Sequence, residues 1–421
     1  MSTEAATIQG AAPVAQAERI GSLDTLRGFA LLGILVMNIM SFSMIFSAYF
    51  NPTNWGDLTG ANYWVWFGSH VLFDMKFMTL FSMMFGAGVV LFSERAEAKG
   101  ESPRRLHYRR MLWLILFGLL HGYLLWYGDI LYTYGMCGLL VYLFRKCEPN
   151  RLIVFGILAI AAASAITLIF GWTIQFWPAE EVRNMQQMWR PDAARIAAEM
   201  NAYRGGWLDQ MQHRVPFFFE TQAIFFLLFF WRPAGAMLLG MALYKLGALS
   251  AQRSTRFYAA LIAAAVLVGL PLIVYGVRLN EAAGWSLEWS FFHGSQLNYW
   301  GSVLVSLGYV GLVMLVCQSG ALGWLRASLA AVGQMAFTNY LLQTIICTTI
   351  FYGHGLGYFG YIERTGQIRI VFAVWAFQLI VSPIWLRHFR FGPFEWLWRS
   401  LTYGSPQPFR RAVPVPAPAT A

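Results

Sequence analysis

Apolar stretches about 20 residues long return from one end of this chain to the other, and that recurrence restricts the fold more than any other feature. At 1.5 Å per residue, such a stretch crosses ~30 Å of hydrocarbon as an α-helix. The stretches fall near residues 26–48, 76–92, 111–127, 130–144, 152–176, 217–246, 258–277, 297–316, 329–351 and 368–386. A strand of a membrane barrel would alternate apolar and polar residues, whereas these runs are apolar throughout. Charge agrees: only 12% of the 421 residues are charged and 58% are hydrophobic, against about 25% charged in an ordinary soluble domain. The predicted class is therefore all-α, a polytopic membrane helix bundle of about ten transmembrane helices.

Lysine and arginine sort between alternate loops, which gives the bundle a direction. Arg95, Lys99, Arg104, Arg105, Arg109 and Arg110 mark the loop after the second stretch as cytoplasmic, while the connection 50–62 carries no basic residue. Arg145, Lys146 and Arg151, then Lys245, Arg253 and Arg256, then Arg326, continue the alternation. Arg387, Arg390, Arg399, Arg410 and Arg411 place the C-terminus inside with the N-terminus. The formal charge of +10 is mostly this inward bias, with anionic membrane lipid as its counterpart; nucleic acid is not an expected partner. Residues 63–75 read as an amphipathic stretch before the second span. Trp231-Arg232-Pro233 in the sixth implies a kink or a break.

Outside the spans, 178–214 balances acidic and basic residues and carries Trp177, Trp189 and Trp207 on or beside it, as suits a folded or interfacial extracytoplasmic segment. Residues 1–18 lack the pattern of a secretory signal and read as disordered, like the Pro-rich tail 404–421, leaving 19–403 as one membrane domain. Four cysteines without a C-x-x-C pair make a disulfide framework or zinc cluster an unsuitable reading. Homo-oligomerisation is compatible with such a bundle.

Polar residues inside the apolar stretches need a reason, because each charge at a membrane centre costs on the order of 2.5–3.5 kcal/mol. His121, near the outer end of the third span, has the chemistry of a general base. Asp129, at the turn into the fourth, would orient it if that turn folds back; otherwise the histidine is an interhelical hydrogen-bonding group and Asp129 a cap. Asp24 and Arg27 share a face at the inner edge of the first span. They read either as helix-end dipole partner and snorkelling cation, or as the mouth of a cavity that Asn38 lines deeper in. Glu220 pairs with Arg214 or Arg232, or faces a substrate. Gln334, Thr338, Asn339 and Gln343 form a polar stripe that either glues helices or lines a path. His70 and Asp74 suggest an interfacial ion pair, and no third ligand at suitable spacing supports a metal. Gly86 and Gly88 suggest close helix contact.

Four motifs in order then carry a resemblance: 21–30 (GSLDTLRGFA), 118–130 (GLLHGYLLWYGDI), 335–344 (MAFTNYLLQT) and 391–399 (FGPFEWLWR). Together they resemble the YeiB family of bacterial multipass inner-membrane proteins, over nearly the whole chain. That family has no established activity. More distantly, 22–38 resembles the corresponding helix of the transmembrane acyltransferase superfamily, which includes acyltransferase-3 proteins and heparan-α-glucosaminide N-acetyltransferase. That likeness implies acetyl-CoA as a cytoplasmic acyl donor and a small-molecule acceptor modified on the far side, with Arg27 at the mouth and Asn38 in the tunnel. The chain departs from the glucosaminide enzyme in having no histidine between 50 and 63, so either His121 takes that role or the acyl-transfer chemistry is absent. Arg104, Arg105, Arg109 and Arg110 would hold the CoA phosphates. The other reading is a small-solute or proton-coupled transporter, with Asp24, Glu220, Asn339 and Gln343 lining the path and His121, Glu220 or Asp129 as its proton-coupling site.

Overall fold

The computed structural model describes Ile20–Arg411. The expected disordered segment 1–18, and residues 412–421 of the Pro-rich tail, lie outside the described residues. Among the described residues the chain is helical, with one isolated antiparallel bridge between Phe389 and Arg410. The helices are α1 (Gly21–Ser43), α2 (Ser47–Phe50), α3 (Gly60–Leu72), α4 (Lys76–Ala98), α5 (Pro103–Leu124), α6 (Leu131–Val141), α7 (Pro149–Thr173), α8 (Ala179–Trp189) and α9 (Ala193–Arg204). They continue as α10 (Trp207–Ala223), α11 (Trp231–Lys245), α12 (Thr255–Ala264), α13 (Leu270–Ala282), α14 (Ser295–Ser319), α15 (Gly323–Gln334), α16 (Ala336–Phe351), α17 (Arg364–His388) and α18 (Pro393–Tyr403).

Six of these segments are long and apolar enough to cross a membrane, and Leu131–Phe144 and Ala336–Phe351 are shorter apolar helices. With α5 and the paired α10–α11, the chain is a polytopic helical bundle of about ten crossings. Its outer wall is greasy: Val154, Ile157, Leu158 and Ile169 of α7 and Leu267 of the α12–α13 span are exposed, as lipid-facing side chains must be. α1 is central, packed against α4, α14, α15, α16 and α17. The two described ends of the chain meet on one face, where residues of α1 and α18 line the same cavity; the basic loops make that face cytoplasmic.

Besides the π-helical turn Ala265–Gly269 between α12 and α13, three spans are interrupted, each for a visible reason. α3 ends at Leu72 and α4 restarts at Lys76 across Met75, which takes a left-handed conformation (φ 62°). The sixth span breaks ahead of the proline: Phe225–Phe229 widens into a π-helical turn and α11 starts at Trp231. Pro233 thus falls in a first turn, where a missing N–H costs nothing. The ninth stretch, expected as one helix, breaks at Met335 into α15 and α16. There the Glu395 carboxylate of α18 accepts the Phe337 and Thr338 amides at 2.6 and 3.0 Å, capping the otherwise unpaired N-terminus of α16.

Residues 178–214, expected as an extracytoplasmic segment, form α8, α9 and the first part of α10. They cover the ends of α1 and α16 remote from the basic face: Asn54 donates to the Trp189 carbonyl (2.7 Å), and Gly353 N–H to the Tyr203 carbonyl (2.9 Å). The Glu199 carboxylate accepts the Phe46 amide at 2.7 Å. Burial holds the Glu199 carboxyl up at about 7, with the Phe46 N–H pulling the other way. The unfolded chain ionises near 4.5, so between the two values the folded chain binds the extra proton and stability falls as pH rises. Raising the pH from 5 to 8 is expected to lower the melting temperature by a few degrees. Glu199→Gln should flatten that dependence in a fluorescence melt in detergent.

The tail boundary moves. Residues 404–411, expected as disordered, fold back on the bundle: Arg390 N–H donates to the Phe409 carbonyl at 2.9 Å, and Phe409 packs on Phe389 (ring centroids 4.8 Å). Half-buried Phe409 packs on Trp385, Phe389 and Trp396, and these ring contacts hold the segment despite its turn-rich composition.

Candidate functional site

One face of α5 runs His107, Met111, Leu114, Gly118, His121, all buried, at the 4-3-4-3 spacing of a helical stripe. Beyond its last turn the chain folds back through Trp126–Ile130. α6 with its last turn, Leu131–Phe144, is only about 20 Å long, so the turn before it sits below the membrane surface. Gly118 makes that possible: a Cβ there would overlap the Tyr132 amide and crowd the Asp129 carboxylate. His121 Nδ1 lies 2.8 Å from Asp129 Oδ1, with side-chain exposures of 1% and 0%. Asp129 Oδ2 accepts the Tyr132 N–H at 2.7 Å. His121 Nε2 lies 3.0 Å from Thr344 Oγ of α16. A carboxylate can only accept, so the neutral imidazole carries its proton on Nδ1 and presents Nε2 as an acceptor.

A cavity of about 250 Å³ opens from the cytoplasmic face towards this dyad. Its rim holds Asp24, Arg27, Arg95, Lys99, Arg110 and Arg399; its walls are apolar, with Leu31, Phe81, Met84 and Leu114 among them; its inner end is reached at Ile130, Tyr134 and Tyr340. Tyr340 is the partition. Its ring centroid is 5.2 Å from that of His121, and its hydroxyl makes two long hydrogen bonds, from Ile130 N–H (3.3 Å) and to the Gly128 carbonyl (3.4 Å). At the rim Arg27 pairs with Asp24 at 3.0 Å, and Arg110 lies over the Trp398 ring at 4.3 Å. Five cations against few carboxylates make the rim a site for an anionic head, and the walls suit a thin apolar or amphipathic chain.

The structure brings some sequence-predicted residues together and separates others. Asp24, Arg27 and Arg110 line the cavity, and His121 and Asp129 stand just beyond its end. Arg104 and Arg105 are exposed and Arg109 reaches towards Gly404, so of that basic run only Arg110 faces inward; one helix turns one face to a cavity. Asn38 is not among the cavity's walls. Glu220 is exposed on α10, and neither expected arginine meets it. Arg214 donates instead to the carbonyls of Tyr123, Leu124 and Leu125, the unpaired end of α5. Arg232 donates to Tyr299 O, Thr79 and Ser302. Asn339 and Gln343 bind α17 through Ser382 and Gln378, at 3.0 and 2.9 Å, so this half of the polar stripe is interhelical glue. Gly86 does make close contact, but Gly88 opens onto the cavity.

His70 and Asp74 pair at 3.2 Å, and the pair extends: Asn298 donates to Asp74 (2.8 Å) and accepts from buried Lys76 (2.6 Å). Among the described residues no cluster of three metal-ligating side chains occurs. Tyr340 and Thr344 lie four apart inside the motif at 335–344, yet nothing in the sequence marks them as site residues. Arg95, Lys99 and Arg399, which read in the sequence as loop charges, join Arg27 at the rim. The spacing was there; which helix α16 would face was not.

Fold and site define a class: a polytopic α-helical membrane protein with a basic-mouthed inner cavity that ends at Tyr340, in front of a buried histidine–aspartate pair. Residues 243–405 match the family described as protein of unknown function (DUF418). The chain is 34% identical to the uncharacterized protein YeiB of Escherichia coli (strain K12), over 91% of this chain and 96% of the other. It is 32% identical to the uncharacterized protein YxaH of Bacillus subtilis (strain 168), over 96% and 99% respectively. The protein belongs to this YeiB-like DUF418 family, whose members here are bacterial.

Proposed function

We propose that the protein is an acyltransferase of the bacterial inner membrane, moving an acyl group from cytoplasmic acyl-CoA to an acceptor on the outer side. The supporting observation is the placement of His121–Asp129 directly behind the closed end of the rimmed cavity. The cavity's volume and walls fit a pantetheine arm with its acyl group; the nucleotide belongs at the rim, where guanidinium groups suit phosphates. His121 Nε2 is the proton acceptor for the attacking group, and Asp129 holds the imidazole in the tautomer that leaves it one. Acetyl-CoA is the simplest donor. A transporter is the second reading, favoured by the Lys76–Asn298–Asp74–His70 network at the join of α3 and α4, of which Lys76 and Asn298 are buried.

Gly88 supplies the test. Gly88 lines the cavity and a Cβ added there meets no atom within 4 Å, so Gly88→Leu directs a side chain into the cavity from an unclashed Cβ. Purified protein is expected to bind acetyl-CoA or a longer acyl-CoA and release free CoA slowly. The variant should bind at least about tenfold more weakly, a loss of 1.4 kcal/mol or more, with an unchanged melt. Wild-type protein that binds no acyl-CoA, yet moves a solute into proteoliposomes under a pH gradient, would favour transport.

A further inference from the structure

His121 and Asp129 belong to a three-part arrangement. Thr344 Oγ stands 3.0 Å from His121 Nε2, and His121 Nδ1 stands 2.8 Å from Asp129 Oδ1. With Asp129 accepting from Nδ1–H, Nε2 is the acceptor and the threonine hydroxyl is the donor. Threonines in apolar helices ordinarily satisfy this hydroxyl on a carbonyl one turn back. The neighbours do: Thr348 bonds Thr344 O at 2.9 Å, and Thr349 bonds Ile345 O at 2.7 Å. For Thr344 the same bond, to Tyr340 O, is stretched to 3.5 Å, and the imidazole is the nearer acceptor.

Two further features surround that hydroxyl. Tyr340, one turn before Thr344 on α16, is a buried core residue between it and the cavity, and its hydroxyl makes only the two long hydrogen bonds described. Trp126, 2% exposed, stacks on Phe42 at 4.0 Å and lies 6.2 Å from the imidazole that the hydroxyl bonds. Its indole N–H is buried with no acceptor, a donor left over beside the reacting centre.

We infer that Thr344 is the nucleophile of a hydroxyl–imidazole–carboxylate triad, and that it carries the acyl group across the middle of the membrane as an ester. This rests on the acyl-CoA reading. Thr344 Oγ bonds to the thioester carbonyl carbon as its proton passes to His121 Nε2. The C–S bond then breaks, and the CoA sulfur takes that proton and leaves as the thiol. In the second half an acceptor hydroxyl or amine gives its proton to His121 and attacks the ester, and Thr344 recovers its proton on leaving. The net reaction is acyl-CoA plus acceptor to CoA thiol plus acylated acceptor. A covalent stage lets the donor side close, with Tyr340 back in place, before the acceptor side opens past Trp126, so no continuous aqueous path is needed.

The test is labelling of the full-length protein in detergent by radiolabelled acetyl-CoA or palmitoyl-CoA without acceptor, followed by denaturation and peptide mapping. The expected result is an ester on the Thr344 peptide that resists neutral hydroxylamine, which separates it from a thioester on nearby Cys347. Thr344→Ser should label; Thr344→Val, close in shape, should not, while binding acyl-CoA like the wild type. Wild-type protein that binds acyl-CoA and releases CoA but never labels, or Thr344→Val that keeps full turnover, overturns the proposal and leaves acyl transfer standing by a direct route. No acyl-CoA binding at all removes both.

Discussion

Asp129→Asn is expected to lower acyl-CoA turnover by about four orders of magnitude while leaving the bundle folded. The asparagine keeps one oxygen to accept the Tyr132 amide, now at 2.7 Å from Asp129 Oδ2. Its NH₂ then faces His121 Nδ1, where Asp129 Oδ1 now stands at 2.8 Å. An NH₂ can only donate, so the imidazole must accept on Nδ1 and carry its proton on Nε2. In that tautomer Nε2 cannot take a proton from Thr344 or from an acceptor. Shape, volume and the contact with the α6 amide stay nearly constant, so a melt within a few degrees of wild type alongside lost turnover isolates the tautomer as the cause. A variant with near-normal turnover would mean that the dyad is only an interhelical tie.

The second large effect is on stability and is independent of function. Gly86 of α4 and Gly240 of α11 face each other's helices so closely that a Cβ on either would overlap a carbonyl oxygen, Met237 O and Met83 O respectively. Small residues allow this approach where there is no hydrophobic drive between helices in lipid. Gly240→Val meets backbone, which cannot rotate away, and should cost at least about 3 kcal/mol, the upper end for overpacked cores. The measurement is the fraction of monodisperse protein after heating in detergent. Gly88→Ala, two residues along α4 from Gly86, is the control. Its Cβ has open space, and it should melt with the wild type.

Legibility in the sequence followed the range of the interaction concerned. The helical class, the number of spans and the direction of insertion rest on hydrophobic length and loop charge, which are properties of single segments. His121 and Asp129 also stood out, because a charge inside an apolar run has few explanations. The internal breaks were only partly visible. Pro233 pointed near the sixth interruption, but the π-helical turn precedes it, and nothing local announced the cut at Met335, which depends on Glu395 arriving from another helix. Arg104, Arg105 and Arg110 read alike in one dimension; only the rotation of α5 decided that Arg110 faces the cavity and the first two face out. Asn339 and Gln343 were equally suited to a path or to helix contacts, and α17 settled the matter by offering Ser382 and Gln378.

The sequence by itself determined that this chain lives in a membrane as a helical bundle, with its basic loops on one side and a histidine and an aspartate in its interior. The tertiary structure alone decided that the two meet, that Tyr340 stands between them and the inner cavity with Thr344 beside the imidazole, and that Arg95, Lys99 and Arg399 join Arg27 at its mouth. The physical reason is that insertion is decided segment by segment by transfer out of water. The site, by contrast, is assembled by which faces of α1, α4, α5 and α16 turn towards one another, a choice made by packing at Gly118 and similar close approaches rather than by any one run of residues.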